Sequence, residues 1–215
     1  MTLIADNLAP RVWVVPHLPR TRGEPTARPL LSQVLQCEAS ALPLHRDPSG
    51  RPRLGAPYTQ FDTGWSHSGE ALVLALGESV ELGVDIERVR PRPRLRELAQ
   101  RFFHADETAW LQAQPEPAMV ESFVRLWCAK EAVLKAHGQG LSFGLHKLVF
   151  AEQDRKLRLQ ACDAALGEAA QWQLHEWTPL PGYRAALAWR RYPLPEASGG
   201  HGLGGARSHG DVVHG

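Results

Sequence analysis

The spacing of apolar residues along the first part of the chain predicts strands and one helix. Residues 11–15 (RVWVV) have the β-branched side chains of a strand, and residues 28–42 have apolar positions spaced as on a helix. The stretch 46–60 is rich in proline, glycine and charge, which is typical of a loop. The runs 71–76 and 80–87, joined by a Gly77-Glu78-Ser79 turn, are predicted to pair as a hairpin.

The second part of the chain again places helices before strands. It follows residues 88–96 (RVRPRPRLR), which suit either a solvated connector or a docking surface for an acidic partner. Helices are predicted over about 94–112, with an interruption near His104–Asp106, and over about 118–137. Later strands are predicted from the segments KLVF, KLRLQA, QWQLHEW and YRAALAWR.

This order of elements predicts an α+β fold made of two related halves. The connector places an N-terminal half at residues 1–90 and a C-terminal half at residues 91–197. Residues 198–215 are rich in Gly, His and Ser and are predicted to form a disordered tail.

Composition narrows the class of protein. With 215 residues and 43% hydrophobic content, the chain can bury the core of one domain or of two small ones. A net charge of +1 and the lack of a nucleic-acid motif make a nucleic-acid role unexpected. No apolar run approaches the ~20 residues of a membrane span, and the N-terminus lacks the features of a signal peptide. Widely spaced Cys37, Cys128 and Cys162 are expected to be reduced, which favours a cytoplasmic protein.

Alternation along residues 80–87 separates apolar from acidic side chains. Leu82, Val84 and Ile86 share one face, and the other face carries Asp85 and Glu87. Gly83, on the acidic face, would leave room for a ligand to approach the backbone. The same pattern would also fit an ordinary strand edge that faces solvent.

The helix predicted around residues 126–137 carries an acid on its apolar side. At 100° per residue, Glu131 lies close to Val124, Trp127 and Leu134. A lone buried carboxylate costs several kcal/mol unless it gains a partner or a proton. Together with Asp85 and Glu87 it would form an all-oxygen site that suits Mg²⁺ rather than zinc.

Two lysines of the same helix have different expected roles. Lys135 is four residues after Glu131, so it could form an ordinary salt bridge or could meet phosphate oxygens beside the acids. Lys130 is separated from Glu131 by about 100° around the helix axis, and its charged end is expected to reach outward to solvent.

Residues 62–72 (DTGWSHSGEAL) are predicted to form a polar turn. Gly64 to Ser68 resemble a nucleophile elbow, but a serine replaces the last glycine and a strand follows instead of a helix. A phosphate-facing turn that uses His67 is the better interpretation, and a capped loop with an exposed histidine is the alternative. Arg28, Arg51 and Arg53 could add phosphate contacts, whereas Glu107 suits the first turn of a helix.

These motifs together resemble the 4′-phosphopantetheinyl transferases of the surfactin-synthetase type. GVDIE (83–87) and WCAKEAVLK (127–135) match that family's two-part motif. SHSG (66–69) and GRP (50–52) match its turn and its Gly-Lys-Pro, with arginine in place of lysine. Phe102, Phe103 and Glu107 match a further conserved block of that family, which lies between its two main motifs. The resemblance covers about residues 28–150.

The resemblance implies a pseudo-dimer of two similar halves with coenzyme A bound between them, acting as a monomer. The enzyme would move 4′-phosphopantetheine from coenzyme A to a serine of an apo acyl or peptidyl carrier protein. The rival functions are a Mg²⁺-dependent phosphohydrolase and a non-catalytic module that binds coenzyme A or a carrier protein. The resemblance also implies roles for individual residues. Mg²⁺ and the pyrophosphate would be held by Asp85, Glu87 and Glu131, with Lys135 facing the pyrophosphate and Glu107 near the metal or its water. The 3′-phosphoadenosine part would be contacted by His67, Arg51 and Arg28.

Overall fold

The computed structural model describes residues 9–192, so the predicted tail at 198–215 lies outside the described residues. The described part has four helices of eight or more residues. They are α1 (Glu24–Val34), α2 (Leu95–Phe102), α3 (Ala105–Gln112) and α4 (Glu116–His137).

Ten strands complete the described part of the chain. They are β1 (Arg11–Pro16), β2 (Leu44–Arg46), β3 (Pro52–Leu54), β4 (Phe61–Ser68), β5 (Ala71–Glu78), β6 (Val80–Arg88), β7 (Leu148–Gln153), β8 (Lys156–Cys162), β9 (Gln173–Trp177) and β10 (Tyr183–Arg191).

The same topology occurs twice. Each half begins with a strand, continues through helix to a two-stranded hairpin (β2-β3 or β7-β8), and ends with two antiparallel strands. The three-stranded sheets have the orders β1-β5-β4 and β6-β10-β9, so the first strand of each half pairs with its last. The prediction of an α+β fold with two similar halves is confirmed. The repeat divides the chain between β5 and β6, rather than at residue 90.

The hairpin predicted from residues 71–76 and 80–87 is wrong. β5 is the central strand of its sheet, with β1 on one edge and β4 on the other, so no edge remains for β6. β6 pairs instead with β10 of the second half. Because the pattern of side chains along a strand does not determine its partner, the sequence could not show which sheet each run would join.

Three further predictions for the first half are corrected. The helix begins at Glu24 and ends at Val34, because Gln36 has a left-handed backbone (φ +55°). The predicted loop 46–60 contains strand β3, which forms a hairpin with β2 at the start of that range. The predicted polar turn around His67 is strand β4.

The elements predicted in the second half are confirmed. The helical region breaks at Phe103 and His104, between α2 and α3, and α4 ends at Gly138, which has a left-handed backbone (φ +84°). The four later strands are present as β7 to β10. Within residues 9–192, no helix is long and apolar enough to cross a bilayer.

The two halves meet where β4 lies beside β6, and side chains join these strands. Asp62 accepts a hydrogen bond from the Leu82 backbone N–H at 2.8 Å. Ser66 donates to Asp85 at 2.7 Å, and two residues further on Ser68 donates to Glu87 at 3.1 Å. We call this contact the seam. It holds the acidic face of β6 beside the hydroxyl groups of β4.

Candidate functional site

Strand β6 presents its acidic face to α4. Leu82, Val84 and Ile86 are buried in the apolar core on the opposite face, as the alternation predicted. On the acidic face, a Cβ atom at Gly83 would overlap the Ala132 carbonyl oxygen and the Ala136 nitrogen. The space that the missing side chain of Gly83 leaves is therefore taken by the backbone of α4 and not by a ligand.

This close approach brings Lys135 against Asp85. The Lys135 Nζ donates to Asp85 Oδ1 at 2.6 Å and to Ser66 Oγ at 3.0 Å. Burial would lower the pKa of Lys135, but the charges of Asp85 and Glu131 outweigh burial and the pKa is raised. Lys135 is therefore a fixed positive charge at the junction of the two halves.

Glu131 lies on the same side of α4 and is only 7% exposed. Burial raises its pKa to about 7; Lys135 opposes that rise, while Asp85 and Glu87 add to it. Glu131 Oε1 and Asp85 Oδ2 are enclosed and have no hydrogen-bond partner within the described chain. Such carboxylate oxygens are costly to bury unless a proton or cation joins them.

Glu87 extends the acidic group toward the end of β6. Its Oε2 accepts hydrogen bonds from Ser68 Oγ and from Arg92 Nη2, each at 3.1 Å. Burial, followed by the charge of Asp85, raises the pKa of Glu87. The sequence interpretation missed Ser66, Ser68 and Arg92. The matching two-residue spacing of the serines and acids was the signal that could have revealed this contact.

The donor set suits Mg²⁺ in its chemistry, but it is not assembled as a coordination site. Among residues 9–192, no group of three or more Asp, Glu, His or Cys side chains is arranged to hold a metal ion. The ammonium group of Lys135 supplies the positive charge beside Asp85. The unpartnered oxygens of Asp85 and Glu131 are hard ligands of the kind that Mg²⁺ prefers.

Two neighbouring cavities open beside Lys135. One measures about 400 Å³ and the other about 220 Å³, and Arg46, Trp65 and Lys135 line both. The larger of the two also has Arg22, Glu24 and His67 in its wall, and the smaller has Gly50, Arg51, Gly83 and Gly138.

A third cavity, of about 640 Å³, lies elsewhere, between α4, β8 and β9. The guanidinium group of Arg125 in its wall is already held by Glu152 and Glu176. We place the functional site at the two smaller cavities, because Lys135, which pairs with Asp85 of β6, lines both of them.

The exposed ring of His67 lies in the wall of the 400 Å³ cavity, together with Lys135. Burial of part of the ring, followed by the charges of His17 and Lys135, lowers the pKa of His67.

Arg46 was not identified as a site residue from the sequence. Its guanidinium carbon lies 5.2 Å from the centre of the Trp65 ring. Arg46 Nη1 also donates to the Gly50 carbonyl at 2.7 Å, so its position is fixed.

All three arginines expected at phosphate have partners within the protein. Arg51 is 6% exposed; it pairs with Asp62 and donates to the Leu82 carbonyl at 2.6 Å, so it joins the halves across the seam. Its Nη1 is enclosed without a hydrogen bond and lies 3.7 Å from Glu81 Oε1. Arg28 donates to the carbonyls of Ala39, Leu42 and Leu44, and it lines neither of the two cavities. Arg53 pairs with Asp47 and Asp62.

The positions expected for Glu107 and Lys130 are corrected. Glu107 is 2% exposed, and its oxygens accept from the backbone N–H groups of His104 and Phe150. Lys130 is fully buried, 2.7 Å from Glu107, and also donates to the Leu145 carbonyl. Glu107 therefore pairs with a lysine instead of facing a metal, and Lys130 points inward because this pairing offsets the cost of burying its charge.

Comparison with known proteins identifies the chain. The model of the 4′-phosphopantetheinyl transferase superfamily matches residues 81–188, which include α4, nearly all of β6, and the acids Asp85, Glu87, Glu107 and Glu131. The chain belongs to this superfamily. The predicted transferase class is therefore confirmed. The matched range also extends beyond the motifs at 83–87 and 127–135 into β10.

Two cyanobacterial relatives of this phosphopantetheinyl transferase match over most of its length. A putative 4′-phosphopantetheinyl transferase of Synechocystis is 31% identical over 173 residues, which are 75% of this chain and 68% of the relative. The transferase HetI of Nostoc is 31% identical over 87% of this chain and 78% of its own length. The transferase Sfp of Bacillus subtilis is 28% identical over 81% of this chain and 75% of its own.

Proposed function

We propose that this chain transfers the 4′-phosphopantetheine group of coenzyme A to a serine of an apo acyl or peptidyl carrier protein and releases 3′,5′-ADP. Family membership supports the class of reaction. The observation that carries the proposal is Lys135: it lines both cavities, whose walls are rich in positive side chains, and it pairs with Asp85 close to Glu131. A substrate with several phosphate groups matches that distribution of charge.

The nucleotide end of coenzyme A would occupy the two cavities. His67 and Arg46 would meet the 3′-phosphoadenosine part, with a contribution from Nη1 of Arg51, which has no hydrogen bond within the described chain. Lys135 would face the pyrophosphate, because it reaches both cavities and also contacts the acids. Arg28 has no place in this arrangement, since backbone carbonyls already occupy it.

Asp85, Glu87 and Glu131 would hold Mg²⁺, as the resemblance to the surfactin-synthetase type implies. The enclosed oxygens of Asp85 and Glu131 support this assignment, since each lacks a partner. When bound, the ion would neutralise charge on the diphosphate oxygens.

Two proton-carrying groups of α4 suit the transfer. Burial raises the pKa of Glu131 to about 7 in the protein without a bound ion, and its carboxylate would accept the proton of the attacking serine. Lys135 stays protonated and can stabilise the departing oxygen of 3′,5′-ADP. Phosphoryl transfer depends mainly on such positioning and charge stabilisation.

The carrier protein would bind next to the connector between β6 and α2. Arg90 and Arg94 of the connector and Arg96 at the start of α2 are exposed, whereas Arg92 turns inward to Glu87. We propose that the enzyme is a monomer of the surfactin-synthetase type, since one chain already contains both halves. A cytoplasmic location agrees with the free thiols of Cys37, Cys128 and Cys162.

The test is the intact mass of an apo carrier protein after incubation with this enzyme, coenzyme A and Mg²⁺. We expect the carrier to gain one phosphopantetheine group, and a carrier with its acceptor serine replaced by alanine to gain none. Consumption of coenzyme A without a change in the carrier would favour a phosphohydrolase. Binding of coenzyme A without any reaction would favour a non-catalytic module.

A further inference from the structure

Corresponding elements of the two halves form the walls of the 400 Å³ cavity and of the 640 Å³ cavity. In the first half, these elements are the start of α1, the hairpin strand β2 and the fourth strand of that half, β4. In the second half, they are α4, the β7-β8 hairpin and the fourth strand, β9. Asp85, Glu87 and Glu131 lie outside the wall of the 640 Å³ cavity, so it is separate from the proposed site of transfer.

Two arginines in the wall of this cavity are held by carboxylates. Arg125 of α4 pairs with Glu152 at 2.6 Å and with Glu176 at 2.7 Å. Arg184 of β10 pairs with Glu121. These three glutamates are the acids that line the cavity. Each carboxylate in the wall therefore already has a cation beside it, which weakens its repulsion of an entering anion.

Three further cations of the wall have no such partner. Arg155, Lys156 and Arg158 line the cavity from the tip of the hairpin and from β8. They are exposed and form no ion pair with a carboxylate of residues 9–192. Lys156 and Arg158 are two positions apart on the strand, so they lie on the same face. An anion in the cavity would therefore meet three positive charges that are not yet paired.

The turn of the hairpin holds Arg155 at the cavity. Gln153 and Lys156 pair across the strands, so Asp154 and Arg155 form a two-residue turn, and both have left-handed backbones (φ +51° and +64°). Glycine is preferred at the second position of such a turn, because a side chain there costs conformational energy. Arg125 Nη2 donates to the Arg155 carbonyl at 3.1 Å, which ties the turn to the paired arginine of the wall.

We propose that the 640 Å³ cavity is a second anion site, which binds a small molecule that carries a diphosphate group. Such a site is additional to the proposed function, because none of its residues takes part in the proposed transfer. Its volume is within the usual range for pockets that hold small molecules. Arginine binds phosphate oxygens through two N–H groups, and lysine adds a point charge. A phosphate monoester carries at most about two negative charges, so three unpaired cations match a diphosphate better.

The test is an NMR titration of the whole chain with inorganic diphosphate and, in a second sample, with ADP. The ring signals of ¹³C-labelled His175 report on this cavity, because His175 lines it and lines neither of the two smaller cavities. The variant His175→Gln assigns these signals. Both titrations are run at constant ionic strength in EDTA, so that no metal ion links the diphosphate to the protein. We expect the His175 signals to shift and to saturate with each probe.

The two probes also distinguish the source of the diphosphate group. Tighter binding of ADP would assign the site to nucleoside diphosphates, and tighter binding of inorganic diphosphate would assign it to the free anion. Either result supports the site. His175 signals that respond to neither probe would overturn the proposal.

A double variant with a matched control locates the binding. Arg155→Glu with Arg158→Glu should raise the Kd of both probes at least about tenfold, the effect of one lost hydrogen bond to a charged group. Arg101→Glu with Arg191→Glu changes two exposed arginines outside the cavity wall by the same charge and should keep the Kd of the parent. An equal rise in Kd in both double variants would contradict the proposal, because the anion would then respond only to net charge. Should the first double variant fail to fold, Arg155→Gln with Arg158→Gln provides the same test.

Discussion

At the scale of single residues, burial makes the Glu131 carboxylate costly in the ligand-free protein. The pKa of this group is about 7 in the folded chain and near 4.5 when unfolded, so the folded state binds its proton more tightly. The free energy of unfolding should therefore fall as pH rises from about 4.5 to about 7.

Glu131→Gln removes this titration while keeping the shape of the side chain. In EDTA at pH 8 the variant should be more stable than the parent by up to about 3 kcal/mol, at 1.36 kcal/mol per pKa unit. At pH 4.5 the difference should nearly vanish, because the parent is then protonated. Urea unfolding of both proteins at each pH measures the effect. Parallel pH profiles would contradict the assignment of a raised pKa to Glu131.

A second residue-scale prediction concerns Arg46. Arg46→Gln should weaken binding of coenzyme A by about 1.5–3 kcal/mol, the cost of a lost hydrogen bond to a charged group. Arg11 is a matched control, because it lies 5.4 Å above the Trp13 ring but lines neither of the two cavities. Calorimetric titration should show weak binding for Arg46→Gln and parent-like binding for Arg11→Gln. Equal affinities of the two variants for coenzyme A would show that Arg46 does not contact the nucleotide.

Sequence periodicity was enough to find Asp85, Glu131 and Lys135, because each lies at a regular position on a strand or helix. It could not place Arg51 or Lys130. Their partners, Asp62 and Glu107, are 11 and 23 residues away along the chain, and only the tertiary fold brings them together. Arg46 could not be predicted as a site residue for the same reason, because its position depends on contacts with Trp65 and Gly50.

At the scale of elements, the site depends on how closely α4 packs on β6. Gly83→Ala would force a methyl group into the backbone of Ala132 and Ala136. We expect a loss of at least about 1–3 kcal/mol of stability from overpacking, together with weaker coenzyme A binding as Lys135 moves off Asp85. Gly64→Ala on β4 is the control, because its methyl group would make only an ordinary 3.7 Å contact with Leu82.

Thermal melts and coenzyme A titration of the two glycine variants decide this point. Parent-like stability in Gly83→Ala would show that the helix is not held by close backbone contact. Helical periodicity and glycine at the helix end located α4 well, whereas the pairing of β5 and β6 could not be predicted. Strand pairing is decided by which sheet edges are free, and a local apolar run carries no information about those edges.

At the scale of the whole molecule, the connector between the halves presents positive charge to a partner. Reversing Arg90 and Arg94 to glutamate should raise KM for an acidic carrier protein and weaken its salt dependence, with little change in KM for coenzyme A. Arg92 is left intact, because it holds Glu87. Arg155→Glu and Arg158→Glu together form a control of equal charge at the 640 Å³ cavity. An equal rise in KM for both double variants would indicate a general effect of net charge.

The central claim is that Lys135, held by Asp85 where the halves meet, takes part in phosphopantetheine transfer. The most direct measurement is the initial rate at which an apo carrier gains mass with the parent, with Lys135→Met and with Lys147→Met. Lys147 is a matched control, since it also pairs with a carboxylate, that of Asp163, at 3.2 Å. We predict parent-like rates for Lys147→Met and a loss of at least about 10²-fold for a folded Lys135→Met, the scale of one lost charge-stabilising donor. Equal rates for the two variants would contradict the account.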